Sequence, residues 1–266
     1  MEGIFLSSII AITNQKGGVG KTTTAAAVMS ALVQRRQRVL GVDLDPQGSL
    51  GFSLGMDIEH CPTVFDVLMG KTPVEEAIIR TDNGDILAAN ILLSAAEREF
   101  NRAGREFLLR DALSRIQDRY DYVIIDTPPA LNVLTINAYV AADALIIPMI
   151  PEILSLLGVA QIRETIETVR QSHNSRLKVL GILLNKYNAR LTLNQEVLEM
   201  SEQIAKQLGT KVFQTTIHSG IAVAEAPAHG ESVITYSPRS KPSLDFQSLV
   251  TEMTGMEAPK GIMRRR

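Results

Sequence analysis

A glycine-rich loop lies near the start of the chain, between an apolar run of strand length and an amphipathic run of helix length. Residues 14–23 read NQKGGVGKTT. Glycines let consecutive backbone N–H groups turn towards one anion, and the dipole of a following helix favours negative charge at the same point. A strand, a loop and a helix in this order predict a phosphate-binding loop, which confines the chain to an α/β fold.

The remainder of the chain alternates short apolar runs with longer amphipathic runs. The apolar runs are nearly continuous in Ile, Leu and Val, which is typical of parallel strands covered on both faces. They predict strands at 8–13, 38–43, 90–94, 121–126, 144–149, 178–184 and 211–214. The amphipathic runs predict helices, clearest at 21–34, 105–119, 155–171 and 192–207. We therefore expect a doubly wound, mostly parallel sheet with helices on both faces.

Composition narrows the class of protein. Of 266 residues, 45% are hydrophobic and 21% are charged, which excludes an intrinsically disordered chain. Lys and Arg number 27 against 29 Asp and Glu, so the net charge of −2 gives no global attraction to nucleic acid. The single cysteine, Cys61, excludes a disulfide framework within one chain and indicates a reducing cytoplasm.

The organisation along the chain predicts one domain at 1–257 and a short, basic, flexible tail at 258–266. The first ten residues, MEGIFLSSII, lack the basic residues of a signal peptide. The most apolar stretch, 141–160, is interrupted by charged residues and prolines, so no membrane span is predicted. The charges of the tail are all positive: Lys260, Arg264, Arg265 and Arg266.

Two lysines distinguish the loop. Lys21 lies near its end, where an ammonium group can reach the β- and γ-phosphates of a nucleotide, and the hydroxyl of Thr22 suits Mg²⁺. The common pattern has a glycine five residues before Gly20, but that position is Gln15, and a second lysine, Lys16, follows it. The loop resembles the deviant Walker A motif, KGGxGKT[TS], of the ParA/MinD superfamily of P-loop ATPases.

The resemblance covers most of the chain, roughly residues 8–255. Segments similar to recurring ParA segments occur in the same order: VDLDPQG at 42–48, VIIDTPP at 123–129, LTINA at 134–138 and AEAPAHG at 224–230. The first resembles the switch I region of ParA, and the second resembles its Walker B and switch II regions. The resemblance implies that ATP and Mg²⁺ bind, with the phosphates held by Gly17, Gly18, Val19, Gly20, Lys21, Thr22 and Thr23.

Three aspartates follow predicted strands. Asp126 ends an apolar strand, where a carboxylate is costly unless water or a metal meets it, and the carboxyl edge of a parallel sheet lies beside the loop. Asp43 and Asp45 are two residues apart at the end of another strand, which predicts different roles. The resemblance implies that Asp43 and Asp126 support Mg²⁺ through water and that Asp45 orients the attacking water. Alternatively, these acids cap the following turns.

A further motif indicates the base. Residues 185–188, NKYN, nearly spell the guanine-reading pattern NKxD, but Asn188 replaces the acid that would accept the donors of guanine. The amide of Asn185 both donates and accepts hydrogen bonds, which matches the N6 and N7 edge of adenine. ATP is therefore favoured over GTP, although Asn185 could instead cap the next turn.

Lys16 carries the prediction of a dimer. In the family, this lysine reaches across a nucleotide-sandwich dimer to the phosphates of the partner, where a cation stabilises the transferring phosphoryl group. The resemblance therefore implies an ATPase whose homodimerisation depends on ATP. It also implies that Glu152, Glu225 and Asn137 face the nucleotide or the partner; alternatively, they are surface or turn residues.

The resemblance favours a partitioning ATPase. Its ATP-bound dimer would bind duplex DNA without sequence preference, and a ParB-like centromere-binding activator would stimulate hydrolysis and release, which places the protein on the nucleoid in the ATP state. In relatives, the segment equivalent to 216–222 usually carries basic residues used for DNA, whereas this chain reads HSGIA at 218–222. The remaining candidates for DNA contacts are Lys186, Arg190, Lys211, Arg239 and Lys241.

Other members of the superfamily provide alternatives. ParA-like positioning of a non-DNA cargo, such as an organelle or a protein cluster, would use the same switch. A MinD-like membrane ATPase needs a C-terminal amphipathic helix, but Pro259 and Gly261 interrupt this tail, so no stable membrane anchoring is expected. An iron–sulfur carrier needs two cysteines from each subunit and is excluded by the single Cys61.

Overall fold

The computed structural model describes residues 7–101 and 103–259, and their strands form one seven-stranded sheet. In chain order the strands are β1 (Ser8–Ile12), β2 (Val39–Asp43), β3 (Ile78–Ile79), β4 (Asp85–Leu87), β5 (Tyr122–Asp126), β6 (Ala144–Met149) and β7 (Lys178–Leu184). Their spatial order is β3-β4-β2-β5-β1-β6-β7, and every neighbouring pair is parallel except β3 with β4. The predicted doubly wound, mostly parallel sheet is confirmed.

Helices connect the strands and cover both faces of the sheet. The α-helices are α1 (Lys21–Gln34), α2 (Ser49–Ser53), α3 (Val64–Leu68), α4 (Val74–Ala77), α5 (Ala96–Glu99), α6 (Leu108–Leu113), α7 (Val133–Ala141), α8 (Ile153–Ser172), α9 (Thr192–Gln207), α10 (Ile221–Glu225), α11 (Val233–Tyr236) and α12 (Lys241–Thr254). Short 3₁₀ helices lie at Ile91–Ala95, Arg105–Phe107, Gln117–Arg119 and Ala226–His229. Among the described helices, none is long and apolar enough to cross a bilayer.

Alternate residues of the central strand pack into opposite layers of the core. In β1, Ile9 and Ala11 pack with apolar residues of α7 and α8. Ile10 and Ile12 point to the other face and pack with apolar residues of α1 and α12. Because side chains alternate along a strand, a continuous apolar run is what a strand between two helical layers requires.

Two predicted helices have the bounds expected from the sequence, since α1 and α9 span 21–34 and 192–207. The strand predicted at 90–94 is wrong. The side chain of Asn90 accepts a hydrogen bond from the backbone N–H of Leu92 at 3.1 Å and caps a 3₁₀ turn there, while β4 lies earlier, at Asp85–Leu87. The apolar run therefore does not enter the sheet, and only Leu93 of its three apolar side chains is buried.

The strand predicted at 211–214 is reduced to one isolated bridge between Val212 and Ile182. The carboxylate of Glu252, on α12, accepts the backbone N–H groups of Gln214 at 3.0 Å and Thr215 at 2.9 Å. Those donors are therefore not available to a strand ladder. The helix predicted at 105–119 is also wrong as one element, because it is divided into a 3₁₀ turn, α6 and a second 3₁₀ turn.

Asn137, which the resemblance placed near the nucleotide or a partner, is buried inside α7. Its Nδ2 donates to the carbonyl oxygens of Arg105 at 2.8 Å and Val133 at 2.9 Å, and its Oδ1 accepts the backbone N–H of Leu109 at 3.0 Å. The side chain thus satisfies a carbonyl in the 3₁₀ helix at Arg105–Phe107 and an N–H group in the first turn of α6. In this structure Asn137 joins two helical segments.

Removal of this amide should destabilise the fold. We expect Asn137→Ala to lower the free energy of unfolding by about 2–4 kcal/mol, because buried backbone groups lose their partners. Urea unfolding measures the change. Asn188→Ala is the matched control, since exposed Asn188 accepts one bond from the backbone N–H of Arg190. Equal losses in the two variants would contradict the structural role of Asn137.

Candidate nucleotide site

The carboxyl ends of the parallel strands bring the predicted site residues to one edge of the sheet. The loop follows β1, Asp45 follows β2, Pro129 follows β5 and Asn185 follows β7. They line one cleft of about 550 Å³. The structure thus brings together the phosphate loop, one predicted catalytic acid and the predicted base contact.

The conformation of the loop suits an anion. Gly18 and Gly20 have φ angles of 73° and 89°, in the left-handed region that favours glycine. The side chain of Asn14 anchors the entrance, since it donates to the carbonyl of Pro148 at 2.7 Å and accepts the backbone N–H of Lys16 at 3.0 Å. Among the described residues, no side chain caps the start of α1, so its first N–H groups remain available for a phosphate.

Lys21 is buried at the floor of the cleft. Its Nζ donates to the carbonyl of Lys16 at 3.3 Å. Burial lowers the pKa of the ammonium group, and the nearby carboxylates of Asp126 and Asp45 oppose that shift. A buried cation between carboxylates can meet phosphate oxygens without first losing a water shell.

Lys16 lies at the rim of the loop and is held within the same chain. Its Nζ forms an ion pair with Glu152, in the segment after β6, and donates to the Oγ of Ser155 at 3.2 Å. The side chain of Glu152 is half exposed, and exposed ion pairs contribute little free energy. Lys16 can therefore exchange this partner for another anion at low cost.

Asp126 and Asp43 face each other at the ends of neighbouring strands. The two residues are paired in register between β5 and β2, and both are fully buried. The hydroxyl of Thr22 donates to Asp126 Oδ2 at 2.6 Å, whereas Asp126 Oδ1 has no hydrogen-bond partner within the described part of the chain. This orphaned oxygen beside a hydroxyl is suited to a hard cation or its water shell.

Burial governs the protonation of this pair. It raises the pKa of Asp43 to about 7, and backbone hydrogen bonds oppose the shift. It also raises the pKa of Asp126 well above its usual range, and repulsion from Asp43 adds to that effect. Within the described residues, no three His, Cys, Asp or Glu side chains converge as a metal site. An ion here would therefore take its further ligands from phosphate oxygens and water.

Asp43 and Asp45 organise the turn after β2. The carboxylate of Asp43 accepts the backbone N–H groups of Asp45 and Leu50, both at 2.9 Å, and Asp45 Oδ1 accepts that of Gln47 at 3.0 Å. The hydrogen bonds of Asp43 and Asp45 within the described residues are therefore those of side chains that cap a turn. Each oxygen keeps a second lone pair, so the metal and water roles of these acids stay predictions.

Asn185 packs against the underside of the loop. Its Nδ2 donates to the carbonyl of Val19 at 2.8 Å, and among the described residues its buried Oδ1 has no partner. A Cβ on Gly20 would lie 2.7 Å from that Nδ2, so this contact and the positive φ both require glycine. Asn185 therefore supports the phosphate loop, and its contact with a base remains a prediction.

The far end of the cleft consists of residues that sequence reasoning did not assign to the nucleotide. The segment after β7 pairs with a distant one, through a parallel bridge between Asn185 and Ile217. This bridge brings His218, Ser219, Gly220 and Val223 to the cleft wall, which Phe246 of α12 also lines. The motif AEAPAHG, at 224–230, follows this segment in the chain. Only the bridge between Asn185 and Ile217 shows that the segment lies beside the site.

The candidates for DNA contacts fall into two groups. Lys211 pairs with Glu252 at 3.1 Å, and Lys241 pairs with Asp245 at 2.9 Å. The other three are exposed and form no ion pair with described residues: Lys186, Arg190 and Arg239.

Glu225, which the resemblance placed near the nucleotide or a partner, is exposed and accepts a hydrogen bond from the hydroxyl of Tyr236 at 3.2 Å. Lys260 and the terminal arginines of the predicted tail lie outside the described residues.

The buried acids make stability depend on pH. A carboxyl group whose pKa is raised by folding holds its proton more tightly in the folded chain than in the unfolded one. Its contribution to the free energy of unfolding is fully present near pH 4. That contribution is lost as pH rises through the pKa of the folded state, which is about 7 for Asp43. Between about pH 6 and 8, without metal or nucleotide, we expect Asp126→Asn to reduce that loss by about 1–2 kcal/mol. Urea unfolding in a chelating buffer at the two pH values measures the difference.

Asp121→Asn is the control for this prediction. Asp121 precedes β5, but its hydrogen bond with Arg38 lowers the pKa of the carboxyl group, so it is already ionised over this range. Its substitution should leave the pH dependence between 6 and 8 unchanged. An unaltered slope in Asp126→Asn, or the same flattening in both variants, would contradict the assignment.

The sequence of the chain is similar to those of known proteins over most of its length. Residues 7–179 match the family model described as an AAA domain. The chain is 40% identical over 255 residues to the chromosome partitioning protein ParA of Caulobacter vibrioides, covering 94% of each protein. It is also 40% identical over 254 residues to the sporulation initiation inhibitor protein Soj of Bacillus subtilis, covering 93% of this chain and 98% of Soj.

A solved structure extends the comparison to nucleotide complexes. A cobyrinic acid a,c-diamide synthase from Mycobacterium smegmatis, with bound ADP and magnesium, superposes with a TM-score of 0.81 at 37% identity. The match covers 96% of this chain and 98% of the synthase. The same synthase has been solved with an ATP analogue and magnesium. The extent of these similarities, together with the loop and its acids, leads to one conclusion: the chain belongs to the ParA/MinD family of P-loop ATPases.

Proposed function

We propose that this chain binds ATP with Mg²⁺ at the carboxyl edge of its sheet and hydrolyses it as the switch of a DNA-partitioning system. The observation that carries the proposal is the orphaned oxygen of buried Asp126, beside the Thr22 hydroxyl and near the Lys21 ammonium. Thr22 would hold Mg²⁺ directly, and Asp43 and Asp126 would hold it through water. When bound, Mg²⁺ neutralises charge on the phosphate groups.

The residues of the chain have separate roles in this proposal. The backbone N–H groups from Gly17 to Thr23 bind the phosphates, and Lys21 neutralises the β- and γ-phosphates. Asp45 lines the cleft and orients the attacking water. Asn185 holds the loop through Val19. We assign the contact with the base to its Oδ1, which has no partner among the described residues. We assign these roles to a single domain at 1–257.

ATP would join two copies of the chain through this edge. The Lys16–Glu152 pair is exchangeable, so Lys16 can reach the phosphates of the partner's nucleotide. The exposed apolar residues point to the same surface. In the described part of the chain, exposed large apolar side chains lie in the segments that follow four strands at this edge: Phe52 after β2, Ile91 and Leu92 after β4, Leu131 after β5, and Leu191 after β7. Apolar exposure of this kind marks an interaction surface.

The partitioning role rests on the relatives that are 40% identical, one of which is a chromosome partitioning protein. We propose that the ATP-bound dimer binds duplex DNA without sequence preference and that a ParB-like partner stimulates hydrolysis and release. The protein would then be cytoplasmic and associated with the nucleoid in its ATP state. Positioning of a non-DNA cargo would use the same switch with another partner.

Similarity to a cobyrinic acid a,c-diamide synthase raises a second candidate function, an ATP-dependent amide synthase. Amide formation from a carboxylate consumes ATP by activating the carboxylate, so turnover depends on that substrate. An ATPase transfers the phosphoryl group to water. Phosphate release from ATP and Mg²⁺ without any other substrate therefore separates the two functions, and turnover only with an added carboxylate would favour the synthase.

ATP and Mg²⁺ should convert the protein into a dimer. We expect Asp45→Ala to retain the dimer after wild-type protein has hydrolysed its ATP, because the attacking water is no longer oriented. Lys21→Ala should weaken nucleotide binding itself, whereas Lys16→Ala should bind ATP but lose dimer-linked turnover. Size-exclusion chromatography with light scattering and a phosphate-release assay measure these effects.

Lys206→Ala, an exposed lysine on α9, is the control for both lysine variants. It should dimerise and hydrolyse ATP as the wild-type protein does. A monomer with ATP in both the wild-type protein and Asp45→Ala would contradict the sandwich dimer. Unchanged hydrolysis in Lys16→Ala and Lys21→Ala would contradict the assignment of the site.

DNA binding should require ATP and weaken with salt. In co-sedimentation with non-specific duplex DNA, we expect binding with ATP, weak binding with ADP, and loss of binding by several hundred millimolar salt. Arg190→Ala should weaken binding by a few fold, because exposed Arg190 can meet a phosphate. Lys211→Ala should have a smaller effect, because Glu252 already pairs with Lys211.

Equal DNA binding with ADP and ATP would contradict a switch controlled by nucleotide. Anionic lipid vesicles provide the comparison for a membrane-associated ATPase. ATP-dependent binding to vesicles without binding to DNA would favour the MinD-like alternative. ATP-dependent dimerisation without binding to either would favour a non-DNA cargo.

A further inference from the structure

His218 combines a position in the nucleotide cleft with a fixed ring. It follows Ile217, which pairs with Asn185 at the end of β7, and it lines the same cleft as the phosphate loop. Its side chain is 42% exposed. Its Nδ1 lies 2.8 Å from the Oδ2 of Asp245. The imidazole is therefore held by one nitrogen and accessible to a ligand.

Asp245 determines which nitrogen of the ring carries the proton. Its Oδ2 also accepts the backbone N–H of His218 at 3.0 Å, and its Oδ1 accepts from Lys241 Nζ at 2.9 Å. Two donors, the backbone N–H of His218 and the ammonium group of Lys241, thus converge on a buried carboxylate. An ionised carboxylate only accepts hydrogen bonds, so Nδ1 must donate.

The opposite ring nitrogen, Nε2, is therefore a hydrogen-bond acceptor in the neutral imidazole. Within the described residues, no group donates to Nε2. The N6 amino group of adenine is a donor, whereas the O6 atom of guanine is an acceptor. An acceptor that faces position 6 of the purine therefore attracts adenine and opposes guanine.

We propose that His218, held in one tautomer by Asp245, presents Nε2 to position 6 of the purine and so selects adenine over guanine at this site. The inference rests on the proposed function, because it deepens the assignment of a nucleotide to the cleft. Asp245 acts through His218 and is a positioning residue. Lys186 also lines the cleft, but an ammonium group only donates, so it cannot supply the acceptor that adenine requires. His218 thus adds a base contact that the NKYN motif does not contain.

The test compares ligands with and without a base. Calorimetric titration with Mg²⁺ measures the dissociation constants of ADP, GDP and inorganic tripolyphosphate for the wild-type protein and His218→Phe. Phenylalanine keeps an aromatic ring and removes both nitrogens. We expect the preference for ADP over GDP to fall about threefold to tenfold. Tripolyphosphate should bind equally to both proteins, because it contacts the loop alone.

His60→Phe is the matched control. His60 forms the same kind of pair, with its Nδ1 2.8 Å from Asp57 Oδ2, but it does not line the cleft. Its substitution should leave the preference for ADP unchanged. If His218→Phe does not fold, His218→Gln replaces it. The glutamine amide can rotate to donate or accept, so this variant should also lose preference for ADP.

The outcomes separate this inference from the proposed function. An unchanged ratio of ADP to GDP affinity, or an equal loss of tripolyphosphate affinity, would overturn the role of His218 while leaving a nucleotide site. Failure of the wild-type protein to bind any of the three ligands would overturn the proposed function and the inference together. A change of the ratio in His60→Phe equal to that in His218→Phe would also overturn it.

Discussion

The parallel pairing of β2, β5 and β1 is the constraint on which the site depends. Residues aligned across these strands end at one edge, so the loop after β1 meets Asp126, and Asp126 meets Asp43 in register. A slip of one residue in β5 would turn Asp126 to the opposite face of the sheet. The pairing thus determines where the phosphates, the cation and the attacking water would meet. The apolar faces of the same strands specify this register, because one face packs on α1 and α12 and the other on α7 and α8.

The cost of this arrangement is electrostatic. Two acids and Lys21 are buried at the floor of the cleft, and burial opposes the charged form of each. Asp43 recovers part of the cost through backbone N–H bonds, and Asp126 recovers less, since one of its oxygens has no partner among the described residues. Residues placed to bind a ligand often lower the stability of the fold when the ligand is absent. Nucleotide and cation binding would therefore add stability as well as function.

Elements that depend on local periodicity were predictable from the sequence, whereas elements altered by a competing hydrogen bond were not. The bounds of α1 and α9 follow from periodicity within the segment, and the loop follows from its own glycines. The apolar runs at 90–94 and 211–214 resemble strands but do not form them. The first is capped by Asn90 as a 3₁₀ turn. At the end of the second, the backbone N–H groups of Gln214 and adjacent Thr215 donate to Glu252 on a distant helix. Periodicity contains no information about a competing hydrogen bond from another element.

The sequence by itself determined the phosphate loop, the parallel α/β sheet and the acids at its edge. Each depends on glycine conformation, on strand periodicity or on a side chain at a strand end, all of which are local. Only the tertiary structure decided that Asn185 supports the loop, that Asn137 joins helical segments and that His218 is fixed by Asp245 at the cleft. These roles are hydrogen bonds between groups 27 to 166 residues apart, and packing of the whole core sets their distances.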